Sequence, residues 1–351
     1  MSRVAVLVSG GVDSSVALAR LVEEGGHDLT AYYLKIWLED ELAFLGSCPW
    51  EEDLVFVREV CQRFQVPLEV VSLQRDYHES VVATVVVELA AGRTPSPDVL
   101  CNRLIKFGAF VDRVDSTFDF VASGHHARVD HSGLQSRLLK GVDPVKDQTY
   151  FLSQMNQDQV ARCLFPIGEM TKAQVRAEAH RLNLPNSDRP DSQGICFLGR
   201  VPYDMFVEHH LGENPGVIRD LTSGNELGTH RGLWFHTIGQ RHGLGLSGGP
   251  WYVVGKDPET NELLVAHASV LESYHRDRFT IGDPHWVADP PKKDRLDLRI
   301  RHAPQLVGCL IEPLENSGLE VLMDEAEAGI APGQYAVLYD GEECLGGGAI
   351  D

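Results

Sequence analysis

The stretch that decides the fold is Ser9-Gly10-Gly11-Val12-Asp13-Ser14-Ser15, set directly behind the apolar run Val4-Ala5-Val6-Leu7-Val8. The run is apolar on both faces and rich in β-branched residues, which predicts a buried strand of a parallel sheet. Behind Ser14, the residues Val16, Ala17, Leu18, Leu21 and Val22 repeat on one helix face, and Gly25-Gly26 ends the helix. A strand, a glycine turn and a helix N-terminus make a cradle for phosphate. The glycines let backbone N–H groups approach an anion, and the helix end adds partial positive charge. Ser9, Ser14 and Ser15 supply hydroxyl donors. Asp13 disfavours a bare phosphate, so it predicts Mg²⁺ bridging the carboxylate to the phosphates.

Outward from this turn, the first half alternates strand and helix. Strands are predicted at Leu29–Ile36, Leu68–Ser72 and Phe118–Ala122, and helices at Glu51–Phe64, Tyr77–Ala91 and Asn102–Val114. That order predicts an α/β fold with a doubly wound parallel sheet. A further helix opens at Thr171, with Gln174 placed to complete a capping box. Beyond about Leu211, glycines multiply and helical periodicity stops. Short strands at Trp251–Val254, Leu263–Val265, Leu319–Leu322 and Tyr335–Tyr339 predict a small β-rich domain followed by a barrel or sandwich.

The net charge of −20 argues against a protein that coats nucleic acid without specificity. The charge is uneven, however. Leu306–Asp351 holds ten carboxylate side chains and no Lys or Arg, whereas Arg276–Arg301 holds seven Lys or Arg against five Asp. A local basic face is therefore compatible with an RNA partner. No apolar run reaches the length of a membrane span. The first strand begins so near Met1 that no export signal is expected, which points to the cytoplasm or to a processed form.

Seven cysteines, at 48, 61, 101, 163, 196, 309 and 344, contain no Cys-x-x-Cys pair. No tightly bound metal, and no structural zinc, is expected. Most of these thiols read as small buried hydrophobes. Two differ. Cys101 follows Thr94-Pro95-Ser96-Pro97-Asp98, where two prolines hold an extended loop, so the thiol is expected at the start of the next helix. Asp98, three residues earlier, is placed to exchange a proton. Cys196 lies in the polar loop Asp191-Ser192-Gln193-Gly194-Ile195-Cys196-Phe197.

The usual nucleotide loop sets Lys and then Ser or Thr behind its last glycine, and no segment here does so. Ser-Gly-Gly-x-Asp-Ser-Ser instead resembles the pyrophosphatase (PP) loop of enzymes that split ATP between its α and β phosphates and adenylate a substrate. Together with Gly92–Asn102, Lys146–Leu152, Gly194–Phe197, Gly239-Gln240-Arg241, Trp251–Val254 and Cys344–Gly348, it resembles the tRNA-specific 2-thiouridylases of bacteria and organelles nearly end to end.

That resemblance implies an adenine-nucleotide α-hydrolase-like domain over 1–210, a central β-rich domain over 211–275 and a tRNA-contacting β-barrel over 276–351. It implies ATP, with Mg²⁺, at Leu7, Val8, Ser9, Gly10, Gly11, Val12, Asp13, Ser14 and Ser15, and at Leu34 and Gly124. Leu34 stands where relatives often carry Met. It implies tRNA contacts at Ser96, Pro97, Asp98, Lys146, Asp147, Gln148, Arg301 and His302, the last where relatives often carry Tyr. ATP would adenylate the 2-oxygen of the wobble uridine. A sulfur-relay or cysteine desulfurase partner would load a persulfide on Cys196, Cys101 would complete the transfer, and Asp98 would serve as acid or base. His125 and His126, side by side on extended backbone, point apart and read as loop residues. Two rivals stand beside this reading: an adenylating ligase acting on a small molecule, and a non-catalytic, nucleotide-dependent RNA-binding protein.

Overall fold

In the computed structural model, strand β1 (Ser2–Leu7) takes the centre of a five-stranded parallel sheet because its last four residues are apolar on both faces. Residues 1–36, 49–114, 118–191, 202–315 and 317–351 are described. The next strands are β2 (His27–Lys35), β3 (Leu68–Ser72), β4 (Phe120–Ala122), the hairpin β5 (Ala127–Asp130) and β6 (Arg137–Lys140), and β7 (Cys163–Leu164). The sheet order is β3-β2-β1-β4-β7, all parallel.

Helices cover both faces, as doubly wound sheets require. On one face Val4 and Val6 pack with Leu18 of α1 (Val12–Glu24) and with Leu54, Val57 and Cys61 of α2 (Pro49–Phe64). On the other, Ala5 and Leu7 meet α3 (residues 74–90) and α4 (residues 97–113), through Val81, Val85, Ile105 and Phe110. Helix α1 stops at Gly25, whose φ of 70° suits a glycine at a helix end. Helix α5 (Lys172–Arg181) carries the expected capping box of Thr171 and Gln174.

One boundary differs from the sequence reading, with consequences for Cys101. Helix α4 begins at Pro97, with Ser96 before it, and not at Asn102. Proline's fixed φ and missing N–H suit the first helical position, so the second proline opens the helix. Cys101 is therefore the fifth helical residue, wholly buried, and not at the helix start where the dipole acts. From Cys101 to Ala109 the backbone widens to i→i+5 bonding.

After α6 (Tyr203–Leu211) the described chain is mostly strand. β8 (Gly216–Asp220), β9 (Glu226–His230), β10 (Trp251–Asp257) and β11 (Glu262–His267) form a four-stranded sheet around Ile218, Val253, Leu263 and Val265. The last strands are β12 (Arg276–Ile281), β13 (His285–Trp286), β14 (Arg295–Arg299), β15 (Val307–Pro313), β16 (Leu319–Glu327), β17 (Tyr335–Asp340) and β18 (Glu343–Ala349). A bridge between Ile281 and Ile350 brings the two ends of this segment together. The hairpin β5–β6 joins the same sheet, through Glu343 and Leu139, which makes nine strands. Among the described residues, no helix is long and apolar enough to cross a membrane.

Candidate active site

Strand order places the site. It reverses between β1 and β4, and a crevice opens outside the C-terminal ends of such a pair. A cavity of about 300 Å³ lies there. Leu7, Val8, Ser9, Gly11, Val12, Asp13, Ser14, Leu34 and Gly124 line it, with Ile36 and Tyr33 beside Leu34 as an apolar wall. Gly10 and Ser15 stand behind the lining and hold it. Gly10 has φ +77°, and a Cβ there would meet the Asp53 carbonyl at 2.7 Å. Gly124 lets the end of β4 approach the helix start, since a Cβ would lie 2.6 Å from the Ser14 nitrogen.

The hydroxyls brace the turn more than they face the cavity. Ser14 Oγ and Ser15 Oγ both donate to the Gly11 carbonyl, at 3.1 and 3.0 Å, and Ser14 Oγ accepts from the Ser9 N–H. Asn186, buried, donates from Nδ2 to the Gly10 carbonyl at 2.8 Å and to Ser15 Oγ at 2.9 Å. Arg189 bonds Gly10 O and pairs with Asp53.

Asp13 already has a cation. Both its oxygens accept from Lys172 Nζ, at 2.6 and 2.8 Å, and His126 Nε2 lies 3.7 Å away. Burial pushes the Asp13 carboxyl up, but His126 and Lys172 outweigh it and hold the carboxyl below its ordinary value. Lys172 reaches on to Asp191 Oδ1 at 2.7 Å. Arg176 meets the same oxygen at 2.5 Å, and Lys146 donates to Oδ2 at 2.8 Å. Asp191 lines the cavity, and Lys146 and Lys172 hold its carboxyl well below the usual range against the opposing effect of burial.

The two histidines do point apart. His125 Nδ1 meets Ser123 Oγ at 2.7 Å, and burial, with Lys106 and His126 nearby, pushes its pKa well down. His126 turns to Asp13. The described residues contain no cluster of three or more His, Cys, Asp or Glu able to hold a metal.

Three family models match the chain in succession. They are a tRNA methyl transferase HUP domain over residues 2–200, a tRNA methyl transferase PRC-barrel domain over 204–267 and an aminomethyltransferase beta-barrel domain over 276–350. The tRNA-specific 2-thiouridylase MnmA 1 of Bacteroides thetaiotaomicron is 44% identical over 354 residues, covering 99% of each chain. MnmA of Porphyromonas gingivalis is 44% identical over 359 residues, covering 99% of this chain and 98% of that one. The chain belongs to the tRNA-specific 2-thiouridylase family. Among solved structures, the U34-tRNA thiolase NcsA of Methanococcus maripaludis with its [4Fe-4S] cluster aligns with a TM-score of 0.35 and 14% identity. That alignment covers 60% of this chain and 63% of NcsA, a likeness too low to carry an argument.

The residues expected to carry sulfur transfer are Cys101, Asp98 and Cys196, and the structure describes the first two. Ile105 and Lys106, one turn beyond Cys101 on α4, line the cavity wall. Cys101 itself is buried in the core behind that wall, and Asp98 is half-buried one turn before it. Cys196 lies outside the described residues, five positions after Asp191.

The two segments that thiouridylases are expected to offer to tRNA meet in space. His302 Nε2 contacts the Asp147 carbonyl at 3.1 Å, and its ring lies 4.6 Å from that of Phe151. Gln148 Oε1 accepts from the His126 N–H and lines the cavity. Arg301 is exposed and pairs with Glu327 at 3.0 Å. Lys146 is turned to Asp191, as above. Ser96 and Pro97 open α4. The side chain of Asp147 faces inward, paired with the buried Arg299 and accepting from Thr149 Oγ1 and the Gly141 N–H.

Lys172, Asp191, Arg176 and Asn186 escape a reading of motifs. Lys172 left a trace next to the Thr171 cap, and Asp191 opened the polar loop read around Cys196. The others are charged or polar residues in segments without pattern, placed only by the folded chain.

Proposed function

We propose that this protein is an ATP-dependent sulfurtransferase that replaces the 2-oxygen of the wobble uridine of tRNA with sulfur. One observation carries the reading. The Ser9–Ser15 turn, an anion cradle, shares a cavity with the wall formed by α4, the helix of Asp98 and Cys101. The apolar wall of Leu34, Tyr33 and Ile36 suits an adenine, and the turn suits the phosphates. Mg²⁺, when bound, would neutralise phosphate charge beside Asp13. That residue is ionised, but an ion would have to displace Lys172 from one of its oxygens.

The uridine 2-oxygen attacks the α-phosphorus of ATP, and pyrophosphate leaves. The terminal sulfur of a Cys196 persulfide, loaded by a sulfur-donor protein, then attacks C2. A C–S bond forms, the C–O bond breaks and AMP departs with the oxygen. The Cys101 thiolate attacks the Cys196 sulfur, which releases 2-thiouridine and leaves a Cys101–Cys196 disulfide for a thiol reductant to reopen. Asp98 takes and returns the Cys101 proton. Ser96, Pro97, Asp98, Lys146, Gln148, Arg301 and His302 meet the tRNA, whereas Asp147 offers only its main chain. The units are 1–210, 211–275 and 276–351, and the enzyme works in the cytoplasm.

The test combines protein, ATP, a persulfide-bearing donor and unmodified tRNA, with nucleosides read by mass. The parent protein is expected to give 2-thiouridine. Cys196→Ser is expected to take up no sulfur, and Cys101→Ser to take it up without forming product. Methylated nucleosides with no thiolation would falsify the reading. So would full activity in either serine variant, or adenylation of a small molecule with tRNA left untouched.

A further inference from the structure

Three cations converge on one carboxylate at the rim of the nucleotide cavity. Lys172 and Arg176 stand one turn apart on α5, and Lys146 comes from the segment before it. All three reach Asp191, and between them they use both of its oxygens. A carboxylate held by a guanidinium and two ammoniums has the contacts that phosphate oxygens receive in proteins. Lys172 also bonds both oxygens of Asp13, in the turn that cradles phosphate. A phosphate chain lying along that turn would therefore bring its charge to the same ammonium that Asp191 holds.

We infer that Lys172, Arg176 and Lys146 grip the β and γ phosphates of ATP, and that the Asp191 carboxylate fills this grip as an internal stand-in until nucleotide displaces it. This rests on the nucleotide reading of the cavity given above.

Two features make the exchange physical. First, the grip does not need Asp191 to exist. Arg176 Nη1 donates to the Ser187 and Arg189 carbonyls at 2.9 and 2.5 Å, and Lys172 follows the Thr171 cap at the start of α5. Second, the cluster is open. The Asp191 and Lys146 side chains keep 25% and 41% of their exposure, so the carboxylate has water to move into. Asp143, a further carboxylate nearby, accepts from the backbone N–H groups of Lys172, Val145 and Lys146 and leaves the two ammoniums to Asp191 and Asp13.

The experiment is calorimetric titration of the full chain with pyrophosphate, ATP and AMP, without tRNA or sulfur donor. A site occupied by its own stand-in nine-tenths of the time binds about tenfold more weakly than the open site. Asp191→Asn is therefore expected to tighten pyrophosphate and ATP by up to about tenfold and to leave AMP unchanged. Lys172→Met is expected to weaken pyrophosphate and ATP at least as much, again sparing AMP. Lys146→Met, at the more exposed edge, repeats the test should Lys172→Met melt early in a thermal scan. If Asp191→Asn weakens pyrophosphate as the lysine variants do, Asp191 builds the grip and does not occupy it, and the inference fails. It fails equally if pyrophosphate binding ignores all three substitutions. Because binding is read alone, a protein that behaves as stated but never thiolates overturns the proposed function and leaves the grip standing.

Discussion

Two ion pairs of the same chemistry stand in different parts of the molecule. Asp13–Lys172 sits at the cavity, with side chains 30% and 14% exposed. Asp147–Arg299 sits at the seam between the first half and the last sheet, with side chains 1% and 3% exposed. The first pair is one link in an open chain of partners that includes Asp191 and His126. The second is buried against Tyr339, over whose ring the guanidinium lies at 5.1 Å, and its carboxylate also accepts from Thr149 and Gly141. An ion pair with solvent access can exchange a partner for a ligand. One without access leaves a stranded charge when either member is removed. The cavity pair is therefore read as working chemistry, and the seam pair as the bolt that holds Lys146–Gln148 against Arg301 and His302.

The largest effect is expected at the bolt. Arg299→Met strands the Asp147 carboxylate and should lower unfolding free energy by about 3–5 kcal/mol, read as a drop in denaturant midpoint at constant slope. Adding Asp147→Asn should restore most of that loss. A single variant as stable as the parent would dissolve the contrast between the two pairs.

Asp13→Ala should do the reverse. Lys172 keeps Asp191 as a partner, so the melting temperature should move by only a few degrees. Formation of AMP and pyrophosphate should fall by about a hundredfold or more, close to 2.7 kcal/mol of lost transition-state stabilisation. Unfolding on the scale expected for Arg299→Met, or intact pyrophosphate release, would mean that Asp13 is a structural residue.

The smallest effect tests a half-buried cation that has no carboxylate partner among the described residues. Lys256 Nζ donates to the Gly92 carbonyl at 3.0 Å, at the start of the loop that leads to Asp98, and burial pushes its pKa down to about 8. The folded state thus releases this proton at lower pH than the unfolded chain, whose ordinary value is 10.5. Stability contributed here should rise as pH climbs from about 8 towards 10.5, and Lys256→Met should flatten that slope relative to the parent. Parallel stability curves for the two proteins would show that Lys256 stays charged throughout, as an exposed lysine does.

The sequence by itself determined the pieces whose causes are local. The Ser9–Ser15 turn, the buried strand before it, the stop at Gly25 and the Thr171 capping box each depend on neighbours within a few residues, so composition and spacing reveal them. The alternation of strand and helix carried the parallel sheet, and with it the crevice at the ends of β1 and β4. The motifs of the PP loop, with Leu34 and Gly124, marked about half of the cavity lining. Only the tertiary structure decided the rest. The start of α4 depended on which of two prolines took the first helical position, and that moved Cys101 one turn into the core. The β5–β6 hairpin joined a sheet some two hundred residues further along the chain, because an edge strand takes whatever partner the fold brings to it. Lys172 and Asp13 are 159 positions apart, and Arg299 and Asp147 are 152 apart. A charge carries no mark of its partner in its own neighbourhood, so such pairs become visible only when the chain has closed upon itself.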